Sequence, residues 1–386
     1  MSIVTKGGKP LLKDAHTEAH SRGRIARPTI SDVAERVGLT KGTVSRALNG
    51  YPDISDRTRH RVSRAAEEMG YRPLAHAQAI RTGRVRSIGL VLQVSEHDAH
   101  APFLTEFLAG VTTAASAQNW TLAVSTAQSD ADMIDTIERM VSERKADGFI
   151  LPRTLSDDPR ASYLREQGVP FIMFGRTRNT AGCAWFDILG EDAMRDAVVR
   201  LHGLGHRDIA LVNAGAEYNF SRLRYQGYLA GLAQVGLPLR PHLVRSDVRR
   251  AQDGQRATES LMREAEPPTA IVFATDGIAL GAYAAARALG LEIGRDLSVI
   301  AYDGIPEGKF ARPPLTTFSV DTREAGTRLA SMLIERIRGV APEDLRETAG
   351  AQLVTRRSDG PRHLTSDALA AKLRQTKSFT SREKYE

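Results

Sequence analysis

Cysteine is almost missing from this 386-residue sequence. Cys183 stands alone, which excludes an internal disulfide framework and fits a reducing compartment. Long apolar runs are missing too: no stretch approaches the roughly 20 residues of a membrane helix, and no apolar segment near the N-terminus has the form of a secretory leader. A cytoplasmic protein without a membrane partner is therefore expected. The spacings that mark common enzymes are equally scarce. The chain has no G-x-S-x-G, no G-x-x-x-x-G-K-[ST], no H-E-x-x-H and no paired C-x-x-C. "GLGHRD" at Gly203 lacks the third glycine of a dinucleotide loop, and His202 and His206, four apart, bring no further metal ligand. No enzymatic activity, cofactor or metal is expected.

Acidic residues are scarce in one region only. Residues 1–86 carry 17 Lys and Arg against 8 Asp and Glu, while the remaining 300 carry 36 against 38. A basic head on a near-neutral body fits either a polyanion-binding module or a solvated basic surface, and charge alone leaves both open. At 386 residues the chain is long enough for two or three domains.

Residues 1–27 are polar and basic without apolar periodicity and read as a disordered arm. Helical patterning begins at "PTISDVAERVG". Thr29 and Asp32 have capping-box spacing, and Ile30, Val33, Ala34 and Val37 share a face before Gly38 stops the helix. Thr40 caps a second helix whose inward face is Val44, Ala47 and Leu48. Ser55 caps a third, which buries Val62, Ala65, Ala66 and Met69 and stops at Gly70. Two short helices around a tight turn with a third as support make a helix-turn-helix. Thr29, Thr40, Thr43, Asn49, Ser55 and Thr58 place hydroxyl or amide groups near the helix ends, where they suit phosphate contacts.

The run "TISDVAERVGLTKGTVSRALNG…ISDRTRHRVSRAAEEMGYRP" resembles the DNA-binding head of the lactose-repressor (LacI-type) family of bacterial transcriptional regulators. The resemblance implies that Lys41, Gly42, Thr43, Ser45 and Arg46 face the bases, with Arg46 suited to guanine O6 and N7. Gly42 stands where a side chain is usual. The resemblance also makes residues 73–86 a hinge, a short helix that enters the minor groove through Ala77 and Ile80.

From Ser87 onward, short apolar strands ("SIGLVL", "TLAVST", "GFIL", "PFIMFG", "IALV", "AIVFA", "LSVIAYD") alternate with amphipathic stretches. This pattern predicts parallel α/β sheets, enough for two Rossmann-like lobes with a cleft at the strand ends. The body resembles the periplasmic-binding-protein type I fold. That resemblance implies effector contacts at Phe103, Arg176, Arg224, Asp276 and Asp303. Gly175, Thr275 and Gly304 replace residues common in the family.

The expected organisation is a disordered arm (1–27), a helix-turn-helix domain (28–72), a hinge and linker (73–86), a two-lobed effector and dimerisation body (87–357) and a flexible tail (358–386). In the tail, Leu364, Leu369 and Leu373 break heptad spacing, so no assembly coiled coil is expected. The implied protein is a homodimeric repressor of sugar or glycoside uptake and catabolism genes. It binds double-stranded operator DNA and is released by a small-molecule sugar. A purine- or other metabolite-sensing regulator with a corepressor is the alternative.

Overall fold

The computed structural model describes residues 28–72, 83–93 and 101–382, without the side chains of 101–103 and 376–382. The hinge residues Ala77 and Ile80 lie outside the described residues. The chain divides into a unit ending at Gly83 and a second beginning at Arg84.

In the first unit, α1 (Ile30–Val37), α2 (Lys41–Leu48) and α3 (Asp56–Met69) enclose a small core of Val33, Ala34, Val44, Ala47, Val62, Ala65 and Ala66. Each helix starts on the cap that the sequence predicts. The Thr29 amide donates to Asp32 (2.7 Å), the Thr43 amide to the Thr40 hydroxyl (3.1 Å), and the Thr58 amide to the Ser55 hydroxyl (3.3 Å). Such caps each contribute about 1 kcal/mol, a large share of the stability of so small a core.

The second unit contains two six-stranded sheets. In the first lobe the order is β11-β5-β4-β3-β1-β2, with β1 Ser87–Gln93, β2 Thr121–Ala127, β3 Gly148–Leu151, β4 Phe171–Phe174, β5 Ala184–Ile188 and β11 Arg346–Ala349, all parallel. Its helices are α4 (Ala101–Ala117), α5 (Asp130–Ser142), α6 (Pro159–Glu166) and α11 (Thr322–Arg338). In the second lobe the order is β12-β10-β9-β8-β6-β7, with β6 Ile209–Val212, β7 Val244–Arg245, β8 Ala270–Phe273, β9 Ser298–Asp303, β10 Thr316–Ser319 and β12 Gln352–Val354. Only β12 runs antiparallel to its neighbour among these pairs. Its helices are α7 (Gly190–Gly203), α8 (Asn219–Gln234), α9 (Ala251–Leu261) and α10 (Asp276–Ala288). The central strands are buried on both faces, so they read as unbroken apolar runs such as "AIVF" and "IALV". The chain passes between lobes three times: from β5 to α7, from β10 to α11 and from β11 to β12.

The C-terminal segment differs from the expectation of a flexible tail. Ser358 is fully buried; its hydroxyl donates to the Val299 carbonyl (2.6 Å) and accepts from the Thr316 amide (2.7 Å). Buried His206 shares hydrogen bonds with Thr269 (2.8 Å) and Ser298 (3.0 Å) and reaches the Gly360 carbonyl (3.1 Å), and burial lowers its pKa to about 4. A final helix, α12 (Ser366–Arg382), lays Leu369 and Leu373 into the second lobe's core beside Leu291, Ile293 and Leu297. Lys372 pairs with Asp296 at 2.6 Å. The leucine spacing that fails as a coiled-coil seam suffices for one helix face packed on its own lobe.

Candidate functional site

A cavity of about 540 Å³ lies between the two lobes at the carboxyl ends of their strands. That volume falls within the ~300–1,000 Å³ of ordinary small-molecule sites. Two aromatic pairs contribute to its walls. Phe107 of α4 stacks on Phe174 of β4 (centroids 5.6 Å apart, 8° between planes), and Tyr218 stacks on Phe220 of α8 (5.3 Å, 13°).

Arg224 of α8 forms part of the cavity's charged wall. Its Nη1 donates to the Ala274 carbonyl (2.6 Å), and its guanidinium lies over Tyr302 (4.0 Å to the centroid) and Phe220 (4.6 Å). Its Nε is buried and has no hydrogen-bond partner. The space it fills exists because residue 190 is glycine: a Cβ there would stand 2.9 Å from that Nε. Asp303, at the end of β9, also lines the cavity, at φ +122°, a conformation that side-chain-bearing residues rarely adopt. Burial pushes its carboxyl up to about 8, against the pull of Arg224 and with a further push from Asp276.

Asp276 does not line the cavity, and the expectation that it contacts the effector is corrected. It is completely buried; Oδ2 accepts from the Gly304 (2.8 Å) and Ile305 (2.9 Å) amides and Oδ1 from the Thr317 hydroxyl (2.6 Å). A carboxylate so occupied fixes the turn that follows Asp303. Gly304 in that turn has φ +81°, and a Cβ would meet the Ser319 hydroxyl at 2.3 Å, so the acid common in the family does not fit. Arg176 likewise stands behind the wall. It pairs with Asp187 (2.5 Å) and Glu191 (2.5 Å), and these two carboxylates line the cavity. Glu191 keeps Oε2 buried without a partner. The Phe103 side chain lies outside the described residues, while the next turn of α4 supplies Phe107.

Sequence reasoning did not single out Phe107, Phe174, Asp187, Glu191, Phe220 or Tyr302. The available signal was their place within three residues of a strand's carboxyl end or at the first turns of the following helices. At the rim the lobes touch directly. Leu155 and Tyr218 form an antiparallel bridge, the Asn219 amide donates to the Thr154 carbonyl (3.1 Å), and Arg153 Nη2 donates to the Tyr218 hydroxyl (2.8 Å). Among the described residues no group of three or more His, Cys, Asp and Glu could hold a metal ion, and no helix is long and apolar enough to cross a membrane.

In the head, Lys41, Gly42, Thr43, Ser45 and Arg46 share the short helix α2. A Cβ on Gly42 would meet only the Thr40 hydroxyl, at an ordinary 3.7 Å, so the fold does not require glycine there. Asn49 turns inward on its own helix, with Nδ2 donating to the Ser45 carbonyl (2.6 Å). That bond uses one of its two amide hydrogens to close the end of α2. Arg46 is half exposed and engaged by two residues of the following loop, the Asp53 carboxylate and the Tyr51 ring.

The description "Bacterial regulatory proteins, lacI family" belongs to a family model that matches residues 29–73, and "Periplasmic binding protein-like domain" to one that matches residues 198–358. The HTH-type transcriptional regulator AglR of Rhizobium meliloti is 34% identical over 341 residues, covering 86% of this chain and 94% of its own. The structure of the transcriptional regulator CelR in complex with cellobiose is similar, with TM-score 0.66 and 29% identity, covering 86% of this chain and all of the other. So is the lac repressor dimer bound to operator and the anti-inducer ONPF, with TM-score 0.72, 26% identity and coverage of 86% and 99%. A helix-turn-helix unit with three capped helices, two α/β lobes around an aromatic and charged cavity, and similarity along most of the chain place this protein in the lacI family of bacterial regulatory proteins, as a DNA-binding transcriptional regulator.

Proposed function

We propose that the protein is a homodimeric repressor whose operator binding is relieved by a neutral sugar or glycoside held in the cleft. The observation that carries this reading is the pairing of unmet polar groups with aromatic faces in one cavity. The Arg224 Nε donor and the Glu191 Oε2 acceptor are both buried without partners, and Asp303 lines the same space as the two aromatic pairs. Leaving a buried polar group unsatisfied costs about 1–3 kcal/mol, more when it is charged, and vicinal hydroxyls supply both a donor and an acceptor. The apolar face of a pyranose fits against aromatic rings. Several ions of the wall are already paired: Arg160 with Asp158 (2.7 Å), Arg249 with Glu217 (2.6 Å), and Asp187 and Glu191 with Arg176 behind them. A ligand of net charge would unbalance these pairs.

Effector binding bridges the lobes, changes their closure and so biases the dimer between a DNA-binding and a released state, which is allostery by differential affinity. Cellobiose in the related CelR complex and the operator-bound lac repressor dimer support this assignment. Regulation of sugar uptake and catabolism from the cytoplasm, without an enzymatic step, follows from it. The test is calorimetry of the full chain against cellobiose, maltose, melibiose, raffinose, hypoxanthine and guanine, followed by operator release with whichever binds. Binding of a sugar that lowers operator affinity is the expected result. Binding of a purine that raises operator affinity would replace the sugar reading with a corepressor.

A further inference from the structure

We infer that Asp53 is a specificity-determining positioning residue for DNA recognition: with Tyr51, it holds the guanidinium of Arg46 in the orientation that reads a base. The inference rests on the reading of α2 as the recognition helix.

Among the described residues Asp53 directs its carboxylate to Arg46, bonding Nη2, while the Tyr51 ring lies 5.6 Å from the guanidinium carbon. One carboxylate on Nη2 leaves Nη1 and the second Nη2 hydrogen of the five-donor fork available for a bidentate partner. Both holding residues sit on a loop fixed to the recognition helix. The Tyr51 amide donates to the Arg46 carbonyl (3.1 Å), and the Gly50 amide donates to Ala47 (3.2 Å). The Ile54 amide closes back on Tyr51 (3.2 Å). From α3, Arg59 Nη2 donates to the Tyr51 and Ile54 carbonyls (3.2 Å each), and its Nη1 to Asp56 (2.9 Å). The loop is thus pinned at both ends, and the carboxylate has a fixed place relative to Arg46. A free arginine would lose rotamer entropy on engaging a base, and a pre-oriented one loses less.

The sign of the charge is the second argument. An acidic side chain beside a DNA-facing arginine opposes binding to every phosphate nearby, whatever the sequence. Asp53 caps no helix, unlike Asp32, and a turn residue there need not carry a charge, so its negative charge is what the arginine contact uses. It gains discrimination at the expense of non-specific affinity.

The experiment uses the full-length protein and an operator obtained by selection from random duplexes. Affinities are measured at fixed salt on that operator, on a version with the guanine read by Arg46 replaced, and on random DNA. Wild type, Asp53→Asn, Asp53→Glu, Arg46→Ala and the Arg46→Ala/Asp53→Asn double variant are compared, with thermal melts to confirm folding. Asp53→Asn is expected to bind random DNA severalfold more tightly and to discriminate the replaced base roughly three- to tenfold less, about half of a bidentate pair's contribution. Asp53→Glu should recover part of the discrimination, and the double variant should match Arg46→Ala. Discrimination retained in Asp53→Asn but lost in Arg46→Ala would overturn the positioning role alone. Discrimination retained in Arg46→Ala would overturn it together with the assignment of Arg46 as a base reader.

Discussion

Replacing Gly190 by alanine adds one methyl group at the point where Arg224 passes. The new Cβ would stand 2.9 Å from Arg224 Nε and 3.3 Å from its Cγ, inside van der Waals contact. Arg224 has little room to yield. It is 8% exposed, sits over two rings and donates from Nη1 to Ala274 at 2.6 Å. The shift must loosen either that bond or the alignment of Nε with the ligand. A hydrogen bond of a charged group contributes about 1.5–3 kcal/mol, so effector affinity should fall roughly 10- to 150-fold. Stability should fall by no more than about 2.6 kcal/mol, because alanine in the first helical turn recovers about 0.4–1 kcal/mol through the unfolded chain against an overpacking cost of about 1–3 kcal/mol. Calorimetry with the effector and gel shifts with operator separate the two effects. Operator binding should persist while release requires much more effector. An unchanged effector affinity in a folded Gly190→Ala protein would refute the claim that Arg224 holds the ligand from this position.

The raised pKa of Asp303 sets a stability trend. Its proton stays on in the native state up to about pH 8 and leaves the unfolded chain near 4, so stability falls by at most about 1.4 kcal/mol per pH unit between those values and levels off above. Asp303→Asn should flatten that slope and raise the apo melting temperature at pH 7.5; a slope between pH 4 and 8 unchanged by the substitution would show that Arg224 keeps the carboxylate ionised instead. In the C-terminal helix, Leu369→Ala should cost about 2–5 kcal/mol in urea unfolding, because Leu369 is completely buried against the second lobe. A loss below ~0.5 kcal/mol would return the tail to solvent.

The head was legible almost residue by residue because its signals are local. Thr29, Thr40 and Ser55 each bond an amide three residues away, and Gly38 and Gly70 stop their helices at positive φ. The body's central strands were legible as apolar runs. The strands missed were polar or marginal, such as β10 with "TTFS" and β11 with "RETA", the latter placed by a neighbour, β5, more than a hundred residues away. Arg224 and Asp303 reached the cavity wall. Asp276 did not, because a carboxylate at a strand end has two outlets, the cleft or the amides of an adjacent turn, and the sequence does not distinguish them. The tail was misjudged because its leucines were tested against a partner helix rather than against the lobe they cover.

The three passages between lobes bear on how the protein is made. The first lobe is not a continuous piece of chain: α4 presents Phe107, Val111 and Ala115 to Ala325, Leu329 and Leu333 of α11 in one shared core. On a ribosome adding about 5–20 residues per second, the segment of about 130 residues between β5 and α11 takes roughly 6–26 s to emerge. Throughout that interval the apolar face of α4 lacks its cover. The edge of β5 that later receives β11 stays open as well. The second lobe can gather its own strands β6 to β10 while the first is still waiting. Synthesis from N- to C-terminus therefore leaves the first lobe open while β6 to β10 gather, and the second lobe in turn closes only when β12 and α12 follow, so the two lobes finish within the same last stretch of chain.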